Sequence, residues 1–166
     1  MSGIGDDTGH MATWKQFSEE APKLAAAVQA RLEFTKHHVL ATLRGSGAPR
    51  VSGTEVDFHG DHLTLGSMLD AVKARDLQRD PRYALHTNPG DGSMDGGDAK
   101  ISGRAVEVPP ERMDEYLDRP VDAPGSFHMF LLEIDDVVLT GLNDEKNALV
   151  IQLWRPGEPV QTGTRQ

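Results

Sequence analysis

The stretch HVLATLRGSGAPRVSGTEVDFHGDHLTLGS, residues 38–67, decides how this chain is read. It holds three strand-length runs, VLATLR, PRVSGTEVDFH and HLTLGS, parted by the glycine-containing turns Gly45-Ser46-Gly47 and His59-Gly60-Asp61. Short glycine turns between extended runs are the pattern of successive hairpins, so the spacing predicts an antiparallel meander. Within the second run Thr54, Val56 and Phe58 alternate with Gly53, Glu55 and Asp57. A period of two puts the first set on a buried face and the second on a more polar one. Gly53 inside that strand marks either a bulge or a close approach of a ligand to the backbone.

On the N-terminal side, Thr13-Trp14-Lys15-Gln16 has the form of a capping box and predicts a short helix. Pro22 suits the first turn of a second helix over about residues 22–36, on which Leu24, Val28 and Leu32 form one apolar stripe. On the C-terminal side, Asp70 is the expected N-cap of a helix from Ala71 to about Arg79, closed by Asp80-Pro81. The strand YALHT, the Gly- and Asp-rich loop NPGDGSMDGGD and the strand AKISGRAVEV follow. A short helix is predicted from Glu111 to about Asp118, and FHMFLLEIDDVVLTGL and ALVIQLW supply the last strands. Residues 1–12 and 159–166 read as flexible tails around one domain over 13–158. Many short strands with a few interspersed helices, lacking the strand–helix alternation of a parallel sheet, give a mainly β fold with helices (α+β): an antiparallel barrel with helices at its ends.

Composition excludes several functions. With 26 acidic against 17 basic side chains and a net charge of −9, the chain lacks the electrostatic footprint of a nucleic-acid binder. Without cysteine it has no disulfide, no iron–sulfur cluster and no thiolate nucleophile, so redox chemistry would have to come from a bound cofactor. The N-terminus MSGIGDDTGH has neither a basic nor an apolar signal region and no long apolar run follows, so a cytoplasmic protein without membrane contact is expected. No G-x-S-x-G elbow, P-loop or dinucleotide-binding glycine pattern is present. The adjacent His37-His38 and the turn-flanking His59 and His62 lack metal-ligand spacing, and no metal is expected. His86 and His128 lie in strands, as core groups, interface contacts or neighbours of a bound ring.

One segment carries readable chemistry. LGSMLDAVKARDLQRDPR, residues 65–82, runs a strand ending in Ser67 into a helix with Lys73 in its first turn. Helix N-termini offer free N–H groups and a favourable dipole to anions. Arg50 on the neighbouring strand adds a guanidinium fork, so Arg50, Ser67 and Lys73 could grip one phosphate. On residues alone, these cations could equally be solvated helix charges paired with Asp70, Asp76 and Asp80. Glu55 and Asp57 would move protons only if buried near a reacting atom, and no catalytic residue is assigned.

The order of these motifs resembles the flavin-binding split β-barrel family around pyridoxamine 5′-phosphate oxidase and its FMN- or F420-dependent relatives. The resemblance runs from about Trp14 to Gly157 and rests on Gly47-Ala48-Pro49-Arg50, the Ser67 to Lys73 spacing, Lys73-x-Arg75-x-Leu77, Arg79-Asp80-Pro81-Arg82 and Trp154-Arg155-Pro156-Gly157. It implies a homodimeric split β-barrel with two cofactor sites at the subunit interface. It also implies that Arg50, Ser67 and Lys73 bind the cofactor phosphate and that the strand Val51, Ser52, Gly53, Thr54 and Glu55 runs along the flavin ring. Trp154 would approach the cofactor of the partner subunit, or be a large core or interface aromatic. The family's second basic residue before the lysine is here Val72, and Arg75 is its expected substitute.

The chain ends WRPGEPVQTGTRQ, without the arginine and histidine that bind substrate in the true oxidase, so pyridoxamine phosphate oxidation is not expected. The implied activity is hydride transfer from FMN, or the deazaflavin F420, to a small organic acceptor. The acidic tail of F420 would need further cations such as Arg75, Arg79 or Arg104. The alternatives are a non-enzymatic protein that stores or senses flavin or haem, and a structural dimer that has lost its ligand.

Overall fold

The structure is a computed structural model that describes residues 11–90, 92–117, 121 and 123–166. The expected N-terminal tail thus falls outside the described residues over positions 1–10, as does Asp118, the expected end of the fourth helix. Ala12 is already ordered: it is fully buried and exchanges two 2.8 Å backbone hydrogen bonds with Ile134.

Helix α1 spans Trp14–Glu20, and the Thr13 side chain accepts a 3.1 Å bond from the Gln16 N–H, as the capping box predicts. Helix α2 spans Pro22–Phe34 and buries Leu24, Ala25, Val28 and Leu32, the predicted stripe with one addition. Strands β1 (His38–Leu43), β2 (Pro49–Thr54), β3 (Val56–His59) and β4 (His62–Met68) follow, then helix α3 (Val72–Arg79). Strands β5 (Arg82–His86) and β6 (Asp98–Glu107), a 3-10 turn over Pro110–Glu115, and strands β7 (Phe127–Leu142), β8 (Leu149–Trp154) and β9 (Gln161–Arg165) complete the chain.

The single run PRVSGTEVDFH is divided at Glu55, which overturns the simple meander. Strand β2 pairs only with β1, and β3 only with β4, among the described residues. The hydrogen-bonded order is β2-β1-β5-β6-β7-β4-β3, with β8 on β7 and β9 on β8. The two ends of that path are successive in the chain with Glu55 alone between them, so the antiparallel sheet must curl. Facing survives the division: Thr54 is buried and Val56 and Phe58 pack on the core, while Gly53, Glu55 and Asp57 point outward.

The main core joins residues of the sheet to α1 and α2, and Ala74 and Leu77 of α3 belong to it as well. Trp14 meets Phe17 and Phe58 at ring separations of 5.1 and 4.8 Å, and Phe17 meets Trp154 at 4.7 Å. Each such aromatic contributes on the order of 0.5–1.5 kcal/mol beyond the area it buries. A smaller cluster of Val108, Met113, Met129 and Leu131 sits beneath the 3-10 turn. Gly103 is required at the β6 bulge, because a Cβ there would lie 2.0 Å from the Glu133 carbonyl oxygen.

The C-terminus also departs from expectation. Where a flexible tail is predicted over 159–166, residues 161–165 pair with Leu149–Leu153 as the exposed edge strand β9. Its sequence, QTGTR, is polar on both sides and has no alternation from which a strand could be read. Among the described residues no helix is long and apolar enough to cross a membrane.

Candidate functional site

Helix α3 packs on β1 and β4 and is joined to β2 by side-chain hydrogen bonds along a polar seam. The turn before it differs from the predicted cap: Asp70 adopts the left-handed conformation (φ 64°), and Ala71 is the N-cap without any side-chain bond. The Asp70 carboxylate turns instead to Arg75 at 3.1 Å. The Ala74 N–H bonds the Ala71 carbonyl at 3.1 Å, and among the described residues the Val72 and Lys73 N–H groups are left to solvent or to an anion. Lys73, in that first turn, donates a 2.9 Å hydrogen bond to the Gly53 carbonyl. Burial lowers its pKa, and the nearby Glu55 carboxylate pulls it back up.

One turn on, Asp76 is 2% exposed. Its Oδ2 accepts from Thr42 Oγ1 and Arg50 Nε, both at 2.7 Å, and its Oδ1 accepts from an Arg79 terminal nitrogen at 2.9 Å. Burial alone would raise the Asp76 pKa, but the hydrogen bonds from Thr42, Arg50 and Arg79 outweigh it and hold the carboxyl below its ordinary value. The alternative of solvated helix charges is thus right for Arg75 with Asp70 and for Arg82 with Asp80, which are exposed pairs. It is wrong for Asp76, the one carboxylate of the three that is buried.

Beside the seam opens a cleft of about 830 Å³, lined among others by Gly53, Thr54, Glu55, Gly66, Ser67 and Lys73. Ser67 is nearly buried, and its hydroxyl makes only a long 3.3 Å bond to the neighbouring Met68 carbonyl. Gly53 and Gly66 leave the cleft wall bare: a Cβ built on either would meet no atom within 4 Å. No protein packing demands glycine at these two positions, and both leave open space along the cleft wall. The Ser67 hydroxyl, the Lys73 ammonium and the Lys73 N–H, in one cleft with the bare backbone of Gly53 and Gly66, fit a phosphate joined to a planar group. Glu55, facing the same cleft, is held by Lys36 at 3.6 Å and His37 at 3.1 Å.

The structure thus brings Gly53, Thr54, Glu55, Ser67 and Lys73 together. Arg50 stands behind them on the seam, tied through Nε to Asp76. Val51 and Ser52 continue the same strand, Val51 being 72% exposed on its outer side. Arg75 points away to Asp70, and Trp154 does not reach the cleft. Trp154 is fully buried against Phe17 in the main core, and its indole N–H has no acceptor among the described residues. Sequence reasoning missed Asp76 as the partner of Arg50 and Thr42 as a further donor to Asp76. The signal was a carboxylate three residues after Lys73, on the same helix face, which looked like an ordinary surface charge.

The described histidines do not gather into a site. His38 is buried and bridges the Leu32 carbonyl (2.9 Å) and the Asn88 N–H (3.2 Å), while His128 pairs with Glu107 at 2.8 Å. Among the described residues no group of three or more His, Asp or Glu is disposed to hold a metal ion.

Comparison with known proteins follows the same lines. The family model described as pyridoxamine 5′-phosphate oxidase matches residues 24–139. No curated protein matches the sequence. Among solved structures, PhzG from Burkholderia lata 383 in complex with tetrahydrophenazine-1-carboxylic acid superposes with a TM-score of 0.64 at 17% identity, covering 92% of each chain. A pyridoxamine 5′-phosphate oxidase-related, FMN binding protein from Nostoc punctiforme gives 0.58 at 12% identity over 88% of this chain and 96% of its own. HutZ, the haem storage protein from Vibrio cholerae, gives 0.52 at 18% identity over 72% of this chain and 94% of its own. At these identities the likeness is one of fold.

Proposed function

The chain belongs to the pyridoxamine 5′-phosphate oxidase family, and on that premise we propose that it is an FMN-dependent oxidoreductase acting on a small organic molecule. The observation that carries the proposal is the cleft in which Ser67 and Lys73 stand at the uncapped start of α3, beside the bare backbone of Gly53 and Gly66. When bound, FMN supplies a ring that accepts and donates hydride, chemistry that no side chain can perform. The chain's own part is to bind and orient. Lys73 and Ser67 would hold the phosphate, with Arg50 behind them. The strand Val51–Glu55 would line the ring, and its backbone is open there because Gly53 has no side chain.

FMN is favoured over F420 by the state of the arginines. Arg75 is engaged by Asp70 and Arg79 by Asp76 and the Leu43 carbonyl, and none of the three cations that an acidic tail would need, Arg75, Arg79 and Arg104, lines the cleft. The Glu55 and Asp57 carboxylates on the cleft lining oppose such a tail as well. A second copy of the chain is the expected cover for the apolar rim, where Val51 and Met68 are 72% and 81% exposed.

A haem-storing protein is the second reading, and it draws on His37, which lines the same cleft. Equilibrium titration of the purified full chain with FMN, F420 and haem separates these. FMN is expected to bind saturably and most tightly, and Lys73→Ala to weaken it roughly 10- to 150-fold, the value of one hydrogen bond to a charged group. Reduction of the bound FMN by a nicotinamide nucleotide, with electrons passed on to an acceptor, distinguishes an enzyme from a flavin store. Haem binding with a Soret band and no FMN binding would replace the proposal.

A further inference from the structure

Asp76 is a carboxylate in a place where a carboxylate is expensive. Burying one without need costs several kcal/mol, and an apolar residue of similar size would usually pack a helix onto a sheet at least as well. Here it collects three donors from three elements: Thr42 on β1, Arg50 on β2 and Arg79 on α3 itself. The bond to Arg50 is made through Nε alone. Among the described residues, Asp76 is the sole hydrogen-bond and ion-pair partner of Arg50, so both terminal nitrogens of its guanidinium remain available. The carboxylate thus holds the guanidinium by its inner edge and leaves the outer edge of the fork free.

Within the seam the two guanidinium groups of Arg50 and Arg79 share the one carboxylate of Asp76, so Asp76 does not neutralise both. Thr42 is 2% exposed and donates to the same Oδ2, so the carboxylate is itself fixed from the β1 side. A rigid second layer of this kind is what a preformed anion grip needs.

We propose that Asp76, fixed by Thr42, is a positioning residue that sets the Arg50 guanidinium for the phosphate of the bound ligand. The inference rests on the reading of the cleft as a phosphate-anchored FMN site. It concerns phosphate recognition alone: Asp76 does not touch the ligand.

The test compares the full-length protein with Asp76→Asn, Thr42→Val and Lys73→Ala, titrating each with FMN and with riboflavin, which carries the same ring without the phosphate. Asp76→Asn is expected to weaken FMN at least about tenfold and to change riboflavin less than about twofold. Thr42→Val, which keeps the shape and removes the hydroxyl, is expected to weaken FMN about two- to fivefold, again with riboflavin unchanged. In an Arg50→Ala background Asp76→Asn should cause no further loss, because the two act as one unit. Equal losses for both ligands would show that Asp76 only pins α3, and FMN affinity unchanged or improved in Asp76→Asn would overturn the inference. If Asp76→Asn does not fold, Thr42→Val decides alone by the same ratio. If FMN and riboflavin bind the unmodified protein equally and Lys73→Ala changes neither, the phosphate-site reading itself has failed. If Lys73→Ala is selective for FMN and the Asp76 and Thr42 variants are not, only the positioning role is lost.

Discussion

Gly66→Val separates the two accounts of the bare cleft wall, as a strand that happens to contain glycine or as a surface kept clear for a ligand. Gly66 lies within β4 with its backbone outside the left-handed region, and a Cβ added there would meet no protein atom within 4 Å. Valine therefore suits the strand and meets no obstacle in the free protein. Removing a mid-strand glycine should stabilise the fold by about 0.5–1 kcal/mol. For a chain of 166 residues that raises Tm by roughly 1–4 °C. The same side chain stands in the space the ligand is to occupy. Overpacking of that kind costs about 1–3 kcal/mol, or roughly a 5- to 150-fold loss of FMN affinity. Thermal unfolding followed by circular dichroism, and titration followed by quenching of flavin fluorescence, read the two effects independently. A variant that is more stable and binds FMN as well as the unmodified protein would refute the assignment of this cleft. A variant that is less stable would refute the claim that the space is open.

Further predictions concern other parts of the molecule. Trp154→Ala should cost about 3–5 kcal/mol of stability, read from denaturant unfolding, while FMN affinity measured well below the transition stays unchanged, because the ring is buried against Phe17 and away from the cleft. A large affinity loss with little change in stability would restore the cofactor role that the family resemblance implies for this residue. His38 has its pKa lowered, first by burial, so the folded protein resists protonation that the unfolded chain accepts near its ordinary value of about 6.5. The resulting stability is fully present above that value and declines as pH falls below it towards the folded pKa. Tm measured against pH should show this decline, and His38→Gln, which cannot be protonated, should flatten it. For Asp76, whose folded pKa is depressed, the sign is the same for a carboxyl: its contribution is present above about 3.9 and is lost as pH falls through the folded value. Asp76→Asn should remove that acid-limb loss while lowering the plateau.

What the sequence determined by itself is local. The capping box at Thr13, the Pro22 start of α2, the end of α3 before Pro81 and the alternation from Gly53 to Phe58 all stand in the structure as read. Each depends on hydrogen bonds, dihedral limits and periods that span only a few residues. Ser67, Lys73 and Gly53 were legible as candidates for the same reason: their meaning comes from a strand end, a helix start and a missing Cβ. Pairing was not legible. Periodicity fixes which face a residue shows and says nothing of which edge its strand will meet, so the division of one run at Glu55 between two ends of the sheet could not be seen. Nor could the edge strand β9, whose polar sequence acquires its order only from β8. Burial of charge is non-local as well. Asp70, Asp76 and Asp80 are equivalent as letters, yet Asp76 alone is buried, because Thr42 and Arg50 come to it from strands 34 and 26 residues away in the chain. Trp154 and Arg75 likewise took their places from partners brought together by the fold, since the free energy of a buried ring or an ion pair depends on what is packed against it.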